Sequence, residues 1–220
     1  MDPASLFIIA ALVLSIIIHE VAHGYMASWL GDPTARLEGR LTLNPVSHID
    51  PIGSILIPGF LFFTGAPLLF GWAKPVPYNP YNLNPRKRGF PAQSGDALVA
   101  AAGPGVNIII ALVFALVIRV AVGSQVTGPF LDIAGYIVRI NILLACFNLL
   151  PMPPLDGSKI LGAFLPVRAE IKYRAFLGRI EQYGFLATFV FIFIFMNLFM
   201  SPFSAFVSAI VRALTGVEGL

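Results

Sequence analysis

Residues 6–30 read LFIIAALVLSIIIHEVAHGYMASWL. An apolar helix of about 20 residues crosses the hydrocarbon core of a bilayer, and this run is long enough to do so. Within it, His19-Glu20-Val21-Ala22-His23 form the pattern H-E-x-x-H. Side chains four apart share one face of a helix, so the two imidazoles can close on one metal ion. Glu20 lies one step round the helix, beside such a metal, where a base for an activated water belongs. Ionisable groups inside a span are costly, and their default reading is function.

Composition agrees with a membrane protein. The 220 residues are 57% hydrophobic and 11% charged, with a mean hydropathy of +0.84; soluble domains carry about 25% charge. Little length remains for a soluble domain of ordinary size. A net charge of +3 is too small to suggest nucleic acid. The single cysteine, Cys146, excludes an intrachain disulfide and a Cys-rich metal cluster and reads as packing. No Lys or Arg precedes the first apolar run, so it does not read as a cleavable signal, and helix one is expected to be retained.

Along the chain, Gly31-Asp32-Pro33 ends the first span. Residues 36–45 (RLEGRLTLNP) alternate polar and apolar and predict a short strand or hairpin. Ile49 to Phe63 is apolar but interrupted by prolines and glycines, and Leu68 to Pro77 is too short and proline-rich to span. Asp96 to Val122, Phe130 to Leu150 and Gly184 to Met200 read as spans. Between them lie a short helix at Ser158 to Leu165 and a charged connector at Arg168 to Gln182. Pro202 is expected to break the chain before an amphipathic segment, Phe203 to Leu214, that either lies on the membrane or completes a span. The fold expected is an all-α membrane protein, a bundle of about 5–6 transmembrane segments with short re-entrant or strand-like elements near the site. It forms one domain over 1–220, with a core at about 6–165 and C-terminal membrane segments at about 184–214.

Two histidines do not complete a catalytic zinc site, which takes three protein ligands and a water. Beyond Asp32, the candidates near apolar segments are His48, Asp50, Asp132 and Asp156. Spacing alone leaves the choice among them open.

Three motifs in order resemble the site-2 protease family of intramembrane metalloproteases. They are H-E-x-x-H in the first span, Ala102-Gly103-Pro104-Gly105-Val106-Asn107 in a later one, and Asn148-x-x-Pro151-x-Pro153-x-Leu155-Asp156-Gly157 after another. They cover roughly three-quarters of the chain, residues 6 to 165, and no PDZ or CBS-like insert separates them, as in the family's minimal branch. The resemblance implies one Zn2+ per chain on His19, His23 and Asp156, with Glu20 as general base and later proton donor. It implies that Asn107 and Asn148 line the site and donate to the substrate backbone or the oxyanion. It further implies a substrate-pairing strand within 36–45 or 68–77, and transmembrane or membrane-inserted polypeptides as substrates. Residence would be in a bacterial or archaeal cell membrane.

Topology favours Asp156 as third ligand. His19 is 13 residues past Leu6, or about 20 Å along a core of about 30 Å, so the histidines lie toward the far face. If Ile49 to Pro77 enters and returns, the end of helix one, the loop 78–95 and the segment after Leu150 share that side. Eleven of the 14 basic residues fall there: Arg36, Arg40, Lys74, Arg86, Lys87, Arg88, Lys159, Arg168, Lys172, Arg174 and Arg179. The positive-inside rule makes it cytoplasmic.

His48 and Asp50 suit capping and turn roles as well as a place near the site. Gly103 and Gly105 suit close helix approach, and Pro104 frees a helix carbonyl. Arg139, mid-span, should face the bundle near Asp132. The Phe-rich run 189–199 reads as lipid-facing surface. A metal transporter or metal-binding membrane protein is the main rival reading. Transport predicts polar residues strung through several spans, whereas here they converge at one depth. An inactive relative that only binds partners ranks third, since ligands and base are all present.

Overall fold

The structure, a computed structural model, describes residues 3–65 and 71–218. Helix α1 (Pro3–Trp29) is followed by the short α2 (Thr34–Leu37), and α3 (Ile57–Phe63) continues a wide π-type turn at Pro51–Leu56. The central pair is α4 (Gly95–Gly123) and α5 (Pro129–Asn148). Then come α6 (Asp156–Phe164), α7 (Val167–Gln182), α8 (Gly184–Ile194) and α9 (Met200–Thr215). Among the described residues four helical stretches are long and apolar enough to cross a membrane: Ser5–Trp29, Ala92–Gly123, Pro129–Asn148 and Leu186–Thr215. The protein is an all-α, multi-pass membrane protein.

Four spans stand where about 5–6 segments are expected. Residues 51–63 form a helix too short to cross, and the chain turns back beside it. The Trp72 amide donates to Gly53 O at 3.1 Å, and the Lys74 amide to His48 O at 2.9 Å. Ser54 Oγ adds a bond to Trp72 O at 2.8 Å. Residues 72–74 thus run back beside residues 48–54. Leu68 to Phe70 of the expected 68–77 element lie outside the described residues.

No strand forms among the described residues, which corrects the strand or hairpin expected over 36–45. The polar–apolar alternation there serves side-chain anchoring. Leu41 packs at Gly24 of α1, and the Arg40 guanidinium donates to Lys74 O at 3.0 Å and Pro75 O at 3.3 Å.

Pro202 does not break the chain. It sits in the first turn of α9, directly after a π-type turn at Phe195–Phe199 that joins α8 to α9. The first turn of a helix tolerates a residue without an amide hydrogen, and a π-turn absorbs the misfit of the ladder. The C-terminal segment therefore completes a span. Its Val207 and Val211 enter the main core with Ala111, Ala115 and Ile118 of α4 and Ala134, Val138 and Ile142 of α5. Alanines on α4 let helices approach closely, as packing between helices in lipid requires. Arg119 donates to the α9 carbonyls of Ala213 and Leu214, satisfying acceptors at that helix end. Phe195 is buried against Phe147 and Phe203, so the aromatic run supplies packing as well as lipid surface. Arg139 is half-buried and makes no ion pair with Asp132, which is exposed.

The C-terminal end of α1 is fixed by the 79–88 loop. Asn84 N donates to Leu30 O, and Arg88 donates to Trp29 O while lying over the Trp29 ring. Asp32, 0% exposed, accepts from Thr34 Oγ1 at 2.6 Å, Asn79 N at 2.8 Å and Asn82 Nδ2 at 2.9 Å. Burial pushes this carboxyl up, but the bonds from Thr34, Asn82 and Asn79 outweigh it and hold the pKa below the usual range. A carboxyl lowered in the folded state contributes stability above its unfolded value near about 3.9, and the contribution fades as pH falls through the folded value. Asp32→Asn is expected to cost about 1–3 kcal/mol at pH 7, since buried donors lose their acceptor. Thermal unfolding in detergent should show that gap narrowing at pH 3.

Candidate metal centre

The site assembles from two helices. His19 and His23 share one face of α1, and Asp156 opens α6. Asp156 Oδ2 lies 3.2 Å from His19 Nε2 and 3.4 Å from His23 Nε2. The three ligand atoms stand within 4.8 Å of one another and could hold one metal ion. Their side chains are 7%, 11% and 14% exposed.

Outer partners fix which ring nitrogen faces the cluster. His23 Nδ1 lies 2.7 Å from Val99 O, and a carbonyl only accepts, so Nδ1 carries the proton and Nε2 offers its lone pair. For His19 the logic runs through two asparagines. Asn141 Nδ2 donates to Ile137 O at 2.9 Å, which orients that amide. Its Oδ1 then accepts from Asn107 Nδ2 at 2.7 Å, turning Asn107 Oδ1 toward His19 Nδ1 at 2.5 Å. His19 Nδ1 is thus a donor, and its Nε2 also points a lone pair at the cluster. Ser15 Oγ accepts from Asn141 Nδ2 at 3.0 Å and ends the chain of bonds.

Two glycines make the approach possible. A Cβ on Gly103 would stand 2.5 Å from His19 Nε2 and from His23 Nε2, so α4 can lie against both imidazoles only without one. A Cβ on Gly157 would collide with the carbonyls of Leu149 and Leu150, so the turn after α5 can deliver Asp156 only with glycine there. Pro104 lacks the amide that would bond Ala100 O, and Ala100 lines the site's cavity.

That cavity holds about 160 Å³ between the three ligands, Glu20, Val76, Tyr78, Asn148 and Lys159. Glu20 Oε2 accepts from the Val76 amide at 3.1 Å, so the returning segment holds the carboxylate beside the histidines. A second, largely apolar groove of about 530 Å³ reaches Glu20 and His19 from another side. Ile16, Trp72, Leu144, Phe147, Phe191 and Ile192 are among its walls.

Of the residues the sequence singles out, His19, Glu20, His23, Asp156 and Asn148 meet at the cavity. Asn107 is brought to the rear of His19, 0% exposed, with both amide atoms bonded inside the bundle. His48 and Asp50 lie elsewhere. His48 Nε2 donates to Thr42 O, and Asp50 caps the 51–56 turn through the Ile52 and Gly53 amides. Sequence reasoning missed Asn141 and Ser15. The available signal was a polar amide in mid-span, the kind of group that must find a partner in lipid.

The donor set suits zinc, with two nitrogens and one carboxylate oxygen converging and space on one side for a water. Residues 117–195, from the end of α4 into the π-turn after α8, match the sequence profile of peptidase family M50. The Bacillus subtilis (strain 168) protein named "Putative zinc metalloprotease YwhC" is 39% identical over 191 residues, covering 84% of this chain and 78% of that one. "Putative zinc metalloprotease Rip2" of Mycolicibacterium smegmatis is 27% identical over 85% of this chain and 66% of its own length. No solved structure matches. A buried His-His-Asp group that could hold a metal, set in an all-α membrane bundle, fits a membrane metalloprotein. The chain belongs to peptidase family M50, the site-2 protease family, and is a zinc metalloprotease.

Gly103→Ala is expected to abolish stoichiometric zinc binding, whereas Gly105→Ala, where a Cβ meets nothing within 4 Å, should keep it; metal analysis of the purified variants decides. Asn141→Leu, two bonds removed from the histidine, should weaken zinc binding about 10-fold in chelator competition, at the low end for outer partners.

Proposed function

We propose that this protein is an intramembrane zinc endopeptidase that hydrolyses transmembrane or membrane-inserted polypeptides. The observation that carries the reading is that the apolar groove between α1, α5, α8 and residues 71–75 has Glu20 and His19 in its wall. An apolar groove in a membrane bundle suits an apolar, membrane-borne chain, and a carboxyl group in its wall suits hydrolysis there.

His19, His23 and Asp156 would hold the zinc. When bound there, zinc supplies a Lewis acid that acidifies water and polarises a carbonyl. Glu20 takes the proton from water as its oxygen attacks the scissile carbonyl carbon, and returns it to the leaving nitrogen. Asn148 Nδ2 donates one hydrogen to Leu144 O and keeps a second for the substrate. Asn107 orients His19 rather than touching substrate. The substrate helix must unwind locally, since an intact helix occupies its own carbonyls.

The site faces the cytoplasm. With four spans and a returning segment, the 11 basic residues on the side of α6 and α7 remain together, and Arg119 and Arg212 lie at the other ends of α4 and α9. Residues 1–220 act as one membrane unit, with the helices after 184 closing the groove around the core at 6–165.

The test combines zinc content with cleavage of single-span peptides in detergent. Wild type should carry one zinc and cut. Glu20→Gln should keep zinc and lose cleavage by at least about 1,000-fold, a catalytic base being central to the step. Asp156→Ala should lose zinc. Undiminished cleavage by Glu20→Gln would sink the protease reading, and full zinc in Asp156→Ala would sink the ligand set.

A further inference from the structure

The cavity at the zinc site has one cationic wall that the mechanism above leaves unused. Lys159 follows Asp156 by three residues on α6 and so shares its face. Its Nζ donates to the Tyr78 hydroxyl at 3.2 Å and lies 5.2 Å from the ring centroid. Tyr78 belongs to the segment whose Val76 amide holds Glu20. Pro75 and Pro77 keep that segment extended, so residues two apart face one side.

The pair sits between two cavities. Both residues line the 160 Å³ space with His19, Glu20, His23 and Asp156. Both also line a cavity of about 460 Å³ with Asp96, Ser158, Tyr173, Arg174 and Leu177. An ammonium has donors and no acceptor, so the phenol oxygen must accept from Lys159. The phenol's own proton is then free, and no described residue accepts it. A phenol ordinarily titrates near about 10, so at neutral pH that proton is present.

We propose that Tyr78 is a further catalytic residue, a hydrogen-bond donor to the scissile carbonyl oxygen, and that Lys159 is the positioning residue that orients and polarises it. The proposal rests on the protease reading above. As the water oxygen bonds to the carbonyl carbon, the C=O π pair moves onto oxygen, and Tyr78 O–H donates to that oxygen without transferring its proton. Glu20 holds the proton from water. When the C–N bond breaks, its pair goes to nitrogen, which takes that proton, and the C=O bond re-forms. A phenol that accepts from a cation donates more strongly, so Lys159 raises what Tyr78 contributes.

The experiment compares wild type, Tyr78→Phe, Lys159→Met and Lys159→Arg, with Glu20→Gln as control. Zinc content, kcat and KM for a single-span peptide, and the affinity of a peptide phosphonamidate are measured. Its tetrahedral anion mimics the charge that Tyr78 would meet. Tyr78→Phe should keep one zinc and an unchanged KM while kcat falls about 100-fold, the low end for loss of one oxyanion donor. Phosphonamidate affinity should fall in parallel. Lys159→Met should lose about 10-fold in kcat, and Lys159→Arg should restore most of it. Cleavage by Tyr78→Phe within twofold of wild type overturns the proposal, as does a loss confined to KM or to zinc content. A Glu20→Gln variant that cuts normally sinks the protease reading itself, which separates that failure from a failure of Tyr78 alone.

Discussion

Helices α1 and α4 can meet at the two histidines only because position 103 bears no side chain. The orientation of both rings follows from that contact. With α4 against α1, Asn107 reaches His19 Nδ1 and Val99 O reaches His23 Nδ1. Each ring is therefore held by its rear nitrogen, and each Nε2 is left facing the space into which Asp156 projects. A side chain at 103 would push the helices apart and release both rings together. This is a packing constraint with a chemical result, since it fixes tautomer and orientation before any metal arrives.

The second constraint is the parity of crossings. Asp156 follows two long spans, α4 and α5, and can reach the depth of His23 only if the chain between α1 and α4 comes back to the side it left. The bonds from residues 72 and 74 to residues 53 and 48 close that return within the 48–74 segment. The same segment then supplies the Val76 amide to Glu20, so one irregular stretch serves topology and chemistry. Irregular backbone at membrane depth is tolerated where it lines a cavity, which is where residues 71–76 lie.

His19, Glu20 and His23 were legible because a helix turns spacing directly into a shared face. Asp156 was not legible from spacing, since its place beside the histidines depends on two crossings and a glycine-permitted turn that no local pattern records. The alternation over 36–45 misled because period two also arises where alternate side chains anchor to different partners, as Arg40 and Leu41 do. Pro202 misled because the π-turn before it absorbs the fault that a lone proline makes in an α-helix. Asn107 was legible as a polar residue in a span, but not as the bridge from His19 to Asn141. That depends on which face of α4 meets α1 and which meets α5.

The polar chain Ser15–Asn141–Asn107–His19 crosses three helices inside an apolar bundle, where an unpaired amide would cost several kcal/mol. Each member satisfies the next, and it begins on a helix carbonyl, Ile137 O, that cannot change role. A network anchored in that way has one arrangement of lowest energy, because flipping either amide opposes donor to donor. The bundle thus holds an imidazole in one tautomer through groups that never face the cavity. The cost of polar groups in lipid, which argues against placing them there without purpose, is also what makes the arrangement single-valued.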